Sequence, residues 1–263
     1  MHLRRLALFP LAFAVIFVLV VQSLGSEEAV GAFVIGQKLL VRILAIVGCA
    51  WAVSVFDRGD HLRTAWFWLV LATAPVLLRD LLRLGPLREA TGSGEWLLHG
   101  LGLVSNLALV MGIWLLSRSW KMAAMASPGS STKGLVLTLG VAGLALIVAG
   151  PAAVAGFKNL LAGDGAASVM LVSALADIVS LCLIGPLLLT AIELRGGLFS
   201  WPWGLITACL ISWLLYDAAA AYGPTLTPGF PLHEVFRGLA ENFLFAAGAA
   251  QALVVRAVRR ASA

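Results

Sequence analysis

Long apolar runs separated by short polar segments extend along the whole chain. Each run holds about 20 mostly apolar residues, the length that a helix needs to cross the hydrocarbon core of a membrane. The runs are continuously apolar, whereas a strand of a membrane barrel would alternate apolar and polar residues over about ten positions. The pattern therefore predicts about eight transmembrane helices, over residues 6–24, 32–56, 62–84, 95–117, 134–156, 167–193, 198–222 and 235–257.

Composition supports this prediction. Hydrophobic residues make up 61% of the chain and charged residues only 12%, which a soluble domain of this length does not tolerate. We therefore expect an all-α integral membrane protein whose first partner is the lipid bilayer. Pro151 and Pro186 predict kinks within the fifth and sixth helices.

The chain repeats part of its pattern after 137 positions, where Trp66 falls on Trp203 and Asp80 falls on Asp217. This repeat indicates duplication of a four-helix unit. It predicts a first membrane half over residues 1–120 and a second over residues 134–263. Residues 121–133 between them are rich in Ser, Gly and Thr, which is typical of a flexible cytoplasmic linker.

The first apolar run has a second interpretation. Arg4 and Arg5 precede it and the small residues Ser23 and Gly25 follow it, as in a cleaved secretory signal peptide. Cleavage would leave seven helices and an external N-terminus. The duplication instead favours a retained first helix, because the first half needs a counterpart to the fifth helix.

Charge placement predicts the orientation. Most of the 18 Lys and Arg residues fall on one side of the predicted bundle together with both termini. The positive-inside rule therefore predicts a multi-pass protein of the cytoplasmic (inner) membrane with both termini in the cytoplasm. This bias also accounts for the net charge of +5, so the charge does not indicate a nucleic-acid partner.

Polar side chains within the predicted helices concentrate in the outer half of the bundle. These candidates are Arg42, Arg79, Asp80, His99, Asn106, Asp177, Asp217, Arg237, Glu241 and Asn242. They either form pairs that fix the order of the helices, or line an outward-facing cavity that binds a ligand. Arg42 and Asp177 lie deepest and are the strongest candidates for function, because they are too deep to reach the interface.

Spacing within single helices predicts local pairs. Asp80 and Arg83 share a helix face, whereas Arg79 is expected to point elsewhere. Arg237 and Glu241 are four positions apart and could pair within the last helix.

Two further side-chain types are expected at the membrane interfaces. Lys38 lies near an outer helix end, where its long side chain could extend to the headgroups. Trp66 and Trp68 begin the third helix, and tryptophan favours the headgroup region.

The sequence lacks the motifs of common catalytic and cofactor sites. Its four His residues lie near helix ends or loops, so paired haem ligands at mid-membrane are not expected. Its three Cys residues are single and lie within apolar runs, which indicates packing rather than redox chemistry. We expect no cofactor and no metal, and nothing in the sequence supports an enzyme.

The leading hypothesis is a membrane module that senses or binds a small-molecule or lipid ligand in the outer cavity. It would signal through a membrane or cytoplasmic protein partner. An alternative is a secondary transporter with Asp177 or Asp217 as a proton carrier, because duplicated halves and interrupted helices suit alternating access. A third hypothesis is a structural subunit of a larger complex, with Gly-rich helix faces as its contacts.

Overall fold

The computed structural model describes residues 2–88, 91–123, 130–163, 167–227 and 229–262. Over these residues the chain forms nine α-helices and no strand. The helices are α1 (His2–Ser23), α2 (Glu27–Val55), α3 (His61–Leu84), α4 (Ser93–Ala123), α5 (Ser130–Leu161), α6 (Ala167–Cys182), α7 (Ile184–Glu193), α8 (Ser200–Leu226) and α9 (Leu232–Ala261).

Seven of the described helical stretches are long and apolar enough to cross a membrane, and a bent α5 would make an eighth. This confirms the prediction of an all-helical, multi-pass membrane protein. Helices α4 and α5 extend into both ends of the predicted linker, and the middle of that linker, residues 124–129, lies outside the described residues.

Two proline residues interrupt the helices where the sequence predicts kinks. Helix α5 bends by 42° next to Pro151. The predicted sixth segment is divided into α6 and α7 at Leu183, three positions before Pro186. Proline has no backbone N–H, so the carbonyl group of Cys182 loses its usual partner four residues later. Helices α6 and α7 together still form one membrane-length span.

Six helical spans form a closed ring. In ring order they are α2, α3, α4, α6–α7, α8 and α9, and α9 packs back onto α2. Helix α1 packs against α9, and helix α5 packs against α6. It follows that α2 lies across the ring from α6–α7, α3 from α8, and α4 from α9.

The N-terminal end of α1 and the C-terminal end of α9 lie together, at what we call the terminal end of the bundle. Leu3 of α1 and Arg256 and Arg260 of α9 line one shallow groove there. Arg259 also pairs with Asp57, in the turn between α2 and α3, at 3.2 Å. The other end, which we call the opposite end, carries the connections α1–α2, α3–α4 and α8–α9.

Apolar side chains fill the terminal half of the ring. Trp66 of α3 and Trp203 of α8 both lie there beside Leu116, around a void too small to hold water. The side chain of Trp66 is only 1% exposed, so the expectation that it anchors at the interface is wrong. Its indole instead packs inside the ring, beside Leu116 of α4 and Trp203 of α8. We call this packed layer the floor.

Helices α2 and α9 approach each other most closely at Gly48 and Gly248. A Cβ atom on Gly48 would lie 2.7 Å from the Cα atom of Phe245, and one on Gly248 would overlap the backbone of Gly48. Small residues permit such close contact between membrane helices. The crossing lies about two turns from Arg42 and Glu241, and so brings those two side chains within reach of each other.

Substitution at this crossing is expected to destabilise the bundle. Gly48→Leu should lower the free energy of unfolding by about 2 kcal/mol or more, because overpacking forces the two backbones apart. Gly36→Leu is the matched control on the same helix, since Gly36 is exposed and a Cβ atom there would meet no described atom within 4 Å. Thermal unfolding in detergent measures both variants, and equal unfolding temperatures would contradict the assigned crossing.

Candidate functional site

A polar cavity of about 440 Å³ lies inside the ring and extends from mid-depth to the opposite end. Each of the six spans contributes to its wall. Its charged lining consists of Lys38, Arg42, Arg79, Arg83, Asp177, Asp217, Arg237 and Glu241. A cavity of this size and polarity can hold a small ligand or the headgroup of a lipid.

Seven of the ten predicted polar candidates line this cavity: Arg42, Arg79, Asn106, Asp177, Asp217, Arg237 and Glu241. The other three lie elsewhere. Asp80 is buried and paired with Arg42. Asn242 is fully buried and donates its amide N–H to the Gly238 carbonyl at 2.9 Å. His99 stacks edge-on against Trp96 with 6.1 Å between ring centroids, away from the charged lining.

Arg42 joins three helices. Its side chain is buried, its Nε donates a hydrogen bond to Glu241 of α9 at 3.1 Å, and its Nη1 pairs with Asp80 of α3. Both carboxylates are buried as well. Removing one partner of a buried ion pair leaves an uncompensated charge, which costs about 3–5 kcal/mol. Arg42 therefore has a structural role. Its predicted depth in the membrane could not distinguish that role from ligand binding.

Two further cationic side chains lie close to the Asp80 carboxylate. The Lys38 Nζ lies 3.4 Å from one carboxylate oxygen, and the Arg79 Nε lies 3.6 Å from the other. The expectation that Lys38 extends to the headgroups is therefore wrong, because it lies one turn from Arg42 and turns to the same carboxylate. The expectation that Arg79 points away is also wrong. Arg83, expected to share a face with Asp80, instead lines the cavity.

Arg237 also differs from its predicted pairing. It pairs with Glu234, one turn earlier on α9, rather than with Glu241. The reason is tertiary, since Glu241 is already held by Arg42 from α2. The guanidinium group of Arg237 also lies 6.0 Å from the ring centre of Tyr216 on α8, close enough for a weak cation–π contact.

Asp177 and Asp217 differ from the other acids of the cavity. Helix α6 supplies Asp177 and helix α8 supplies Asp217, and the two carboxylates are close enough to repel each other. Within the described part of the chain, neither forms an ion pair or a hydrogen bond. Nearby, the Asn106 amide group of α4 donates to Ser173 Oγ of α6 at 2.9 Å, which holds these two helices together.

The charges of the cavity thus form two groups. The basic wall consists of Lys38, Arg42, Arg79, Arg83 and Arg237, which α2, α3 and α9 supply. The acidic wall consists of Asp177 and Asp217. Asp80, Glu234 and Glu241 offset part of the basic wall through the ion pairs described above.

Sequence reasoning missed three participants in the charged network: Lys38, Arg83 and Glu234. A signal for two of them was present. Lys38 is four positions before Arg42, and Arg83 is four positions after Arg79, so each shares a helix face with a predicted site residue. Glu234 carried no such signal, since it lies close to a helix end and resembles a solvated charge.

The described residues contain no group of three or more His, Cys, Asp or Glu side chains placed to hold a metal ion. Comparison of the chain with models of known protein families, with curated proteins and with solved structures gave no match. The interpretation of the site therefore depends on its geometry and charge.

The two kinds of acid are expected to respond oppositely to neutralisation. Asp80→Asn should lower the free energy of unfolding by about 3 kcal/mol, because three cations lose their shared carboxylate. Asp177→Asn, an equally conservative change, should leave stability unchanged or raise it, because it removes repulsion from Asp217. Thermal unfolding of the detergent-solubilised variants measures the difference. A comparable loss from Asp177→Asn would show that Asp177 holds a structural partner.

Proposed function

We propose that the protein is a membrane-embedded binding module that holds a small or lipidic polar ligand in the cavity of its six-span ring. The observation that carries this proposal is the acidic wall. Ionisable groups within the membrane are costly and normally pair with one another or mark functional sites. Asp177 and Asp217 line a cavity and pair with no described residue, so a ligand is the partner that their position suits.

Interhelical pairing alone accounts for only part of the network. It explains Arg42, Asp80 and Glu241, which are buried and satisfy one another across three helices. A purely structural network would be expected to satisfy every member in this way. The acidic wall departs from that expectation, which favours a binding role beside the structural one.

The floor supports a site that opens to one side. Packed side chains around Trp66 and Trp203 separate the cavity from the terminal end. If both termini are cytoplasmic, as the positive-inside rule predicts, the cavity faces outward. Helix α9 runs from Arg237 and Glu241 in the cavity to Arg259 at the terminal end, so it offers a path by which ligand binding could be reported to a protein partner.

The ring order supports the proposed duplication of a four-helix unit. A shift of 137 positions carries α2 onto α6–α7, α3 onto α8 and α4 onto α9, and in each case the related spans lie across the ring from each other. The outer helices depart from this symmetry, because α1 packs against α9 whereas α5 packs against α6.

A secondary transporter is the second candidate, and the acidic wall is the observation that favours it. Two neighbouring carboxylates would stabilise a proton or cation bound between them, because like charges repel strongly away from water. Transport also needs a route to the terminal end. The floor closes that route in this conformation, so the transporter requires a second arrangement of the helices around Trp66 and Trp203.

Ligand binding can be tested on protein extracted gently from its own membrane. Native mass spectrometry should detect an adduct on the wild type that is lost in Asp177→Asn and reduced in Arg83→Gln, because both side chains line the cavity without a described ion pair. Matched controls are Glu28→Gln and Arg88→Gln, which alter exposed residues away from the cavity and should retain the adduct. Absence of any adduct, or its equal loss from the controls, would overturn the proposal.

The predicted orientation can be tested by labelling introduced cysteines in intact cells. A Cys182→Ser background leaves only the buried Cys49 and Cys209. In that background Glu28→Cys, at the opposite end, should react with a membrane-impermeant maleimide, whereas Arg58→Cys, at the terminal end, should react only after lysis. The reverse pattern would place the opening of the cavity in the cytoplasm.

A further inference from the structure

The charges that line the cavity are separated by sign across the ring. Helices α2 and α3 supply Lys38, Arg79 and Arg83, whereas α6 and α8 supply Asp177 and Asp217. Because α2 lies across from α6–α7 and α3 lies across from α8, the part of the basic wall on α2 and α3 faces the acidic wall, whereas Arg237 lies on α9, next to α8. The cavity of about 440 Å³ lies between them.

The separation leaves uncompensated charge on both sides. Of the five basic side chains of the basic wall, four pair with the three acids Asp80, Glu234 and Glu241, and Arg83 has no described ion pair, so a formal count leaves two positive charges. Counted as carboxylates, the two residues of the acidic wall contribute two formal negative charges, and neither has a described partner. The two walls thus have equal and opposite formal charge, but no ion pair of the described structure joins them.

Unused hydrogen-bonding groups accompany this charge. The second carboxylate oxygen of Glu241 is buried and has no described hydrogen-bond partner. The Arg79 Nε is also buried, and its only described partner is the longer ion pair to Asp80 at 3.6 Å. Both residues line the cavity. Buried polar atoms without partners are costly, so their position at the cavity surface indicates that something polar completes them.

The chemistry of each wall suits one kind of group. Arginine side chains present planar N–H donors that match the oxygens of a phosphate or carboxylate. An ammonium group offers three donors, which two carboxylates can accept. On α8, Trp213 and Tyr216 also line the cavity beside Asp217, and aromatic faces attract cations.

We infer that the ligand is a zwitterion, with its anionic group at Arg79 and Arg83 and its ammonium group at Asp177 and Asp217. This inference rests on the proposed binding function. A ligand with both charges compensates both walls at once. An anion alone would leave the acids without a partner, and a cation alone would leave Arg83 without one. Two sources share this chemistry: the headgroup of a zwitterionic lipid such as phosphatidylethanolamine, and a free amino-phosphate or amino acid.

Matched probes test the charge requirement on the full chain in a neutral maltoside detergent. The free probes are phosphoethanolamine, ethyl phosphate and ethylamine, and the lipid probes are short-chain phosphatidylethanolamine and phosphatidylglycerol. In the wild type, the zwitterion of at least one series should bind more tightly than the analogues that carry charge of one sign only, by a factor of about ten, equivalent to about 1.4 kcal/mol. The series that binds identifies the source.

The variants separate the two ends of the ligand. Asp177→Asn with Asp217→Asn should abolish the preference for the zwitterion over the anion and leave anion binding in place. Arg83→Gln should weaken the zwitterion and the anion together, and Arg88→Gln is its unaffected control. Binding of the anion as tightly as the zwitterion in the wild type would overturn the inference.

The adduct from the native membrane distinguishes failure of this inference from failure of the proposed function. An adduct that reacts with an amine reagent and also carries an acidic group supports the zwitterion. An adduct without an amine overturns the zwitterion but leaves cavity binding intact. If the native protein carries no adduct and no probe binds, both the zwitterion and the proposed binding function are overturned.

Discussion

The buried guanidinium group of Arg42 is the constraint on which the arrangement of this bundle depends. An arginine side chain stays charged in proteins, so burial within a membrane requires acids at hydrogen-bonding distance. Asp80 and Glu241 meet that requirement from two different helices. Pairing to both fixes the rotation of α2 against α3 and α9. That rotation also turns Lys38 into the ring and so creates the basic wall.

Close packing makes this pairing possible. Gly48 and Gly248 let the backbones of α2 and α9 touch, which brings Arg42 to within 3.1 Å of Glu241. On the terminal side of that crossing, Trp66 and its apolar neighbours pack together inside the ring and leave no void large enough for water. On the opposite side, charged residues replace apolar ones and the ring stays open. Apolar packing thus closes one half of the ring, and ionic pairing shapes a cavity in the other.

Two acids that the proposed repeat relates have different surroundings. Asp80 and Asp217 are 137 positions apart and lie on α3 and α8, which face each other across the ring. Asp80 meets Arg42 on α2, whereas Asp217 lies near another acid, Asp177 on α6. The neighbouring helix therefore decides the role of each carboxylate. Asp80 thus holds helices together, whereas Asp177 and Asp217 line the cavity without a described partner.

The sequence by itself determined the helices, the kinks at Pro151 and Pro186 and the half of the bundle that carries the charges. These features depend on local properties: the length of apolar runs against the membrane thickness, the missing proline N–H and the position of each charge along its helix. Only the tertiary structure decided the pairing. Spacing within one helix predicted the Arg237–Glu241 pair, but Glu241 instead pairs with Arg42, which is 199 positions away in the chain. The rotation of each helix and its contacts depend on glycines that are distant in the chain. The order of the acids in the chain therefore could not show which of them remain unpaired around the cavity.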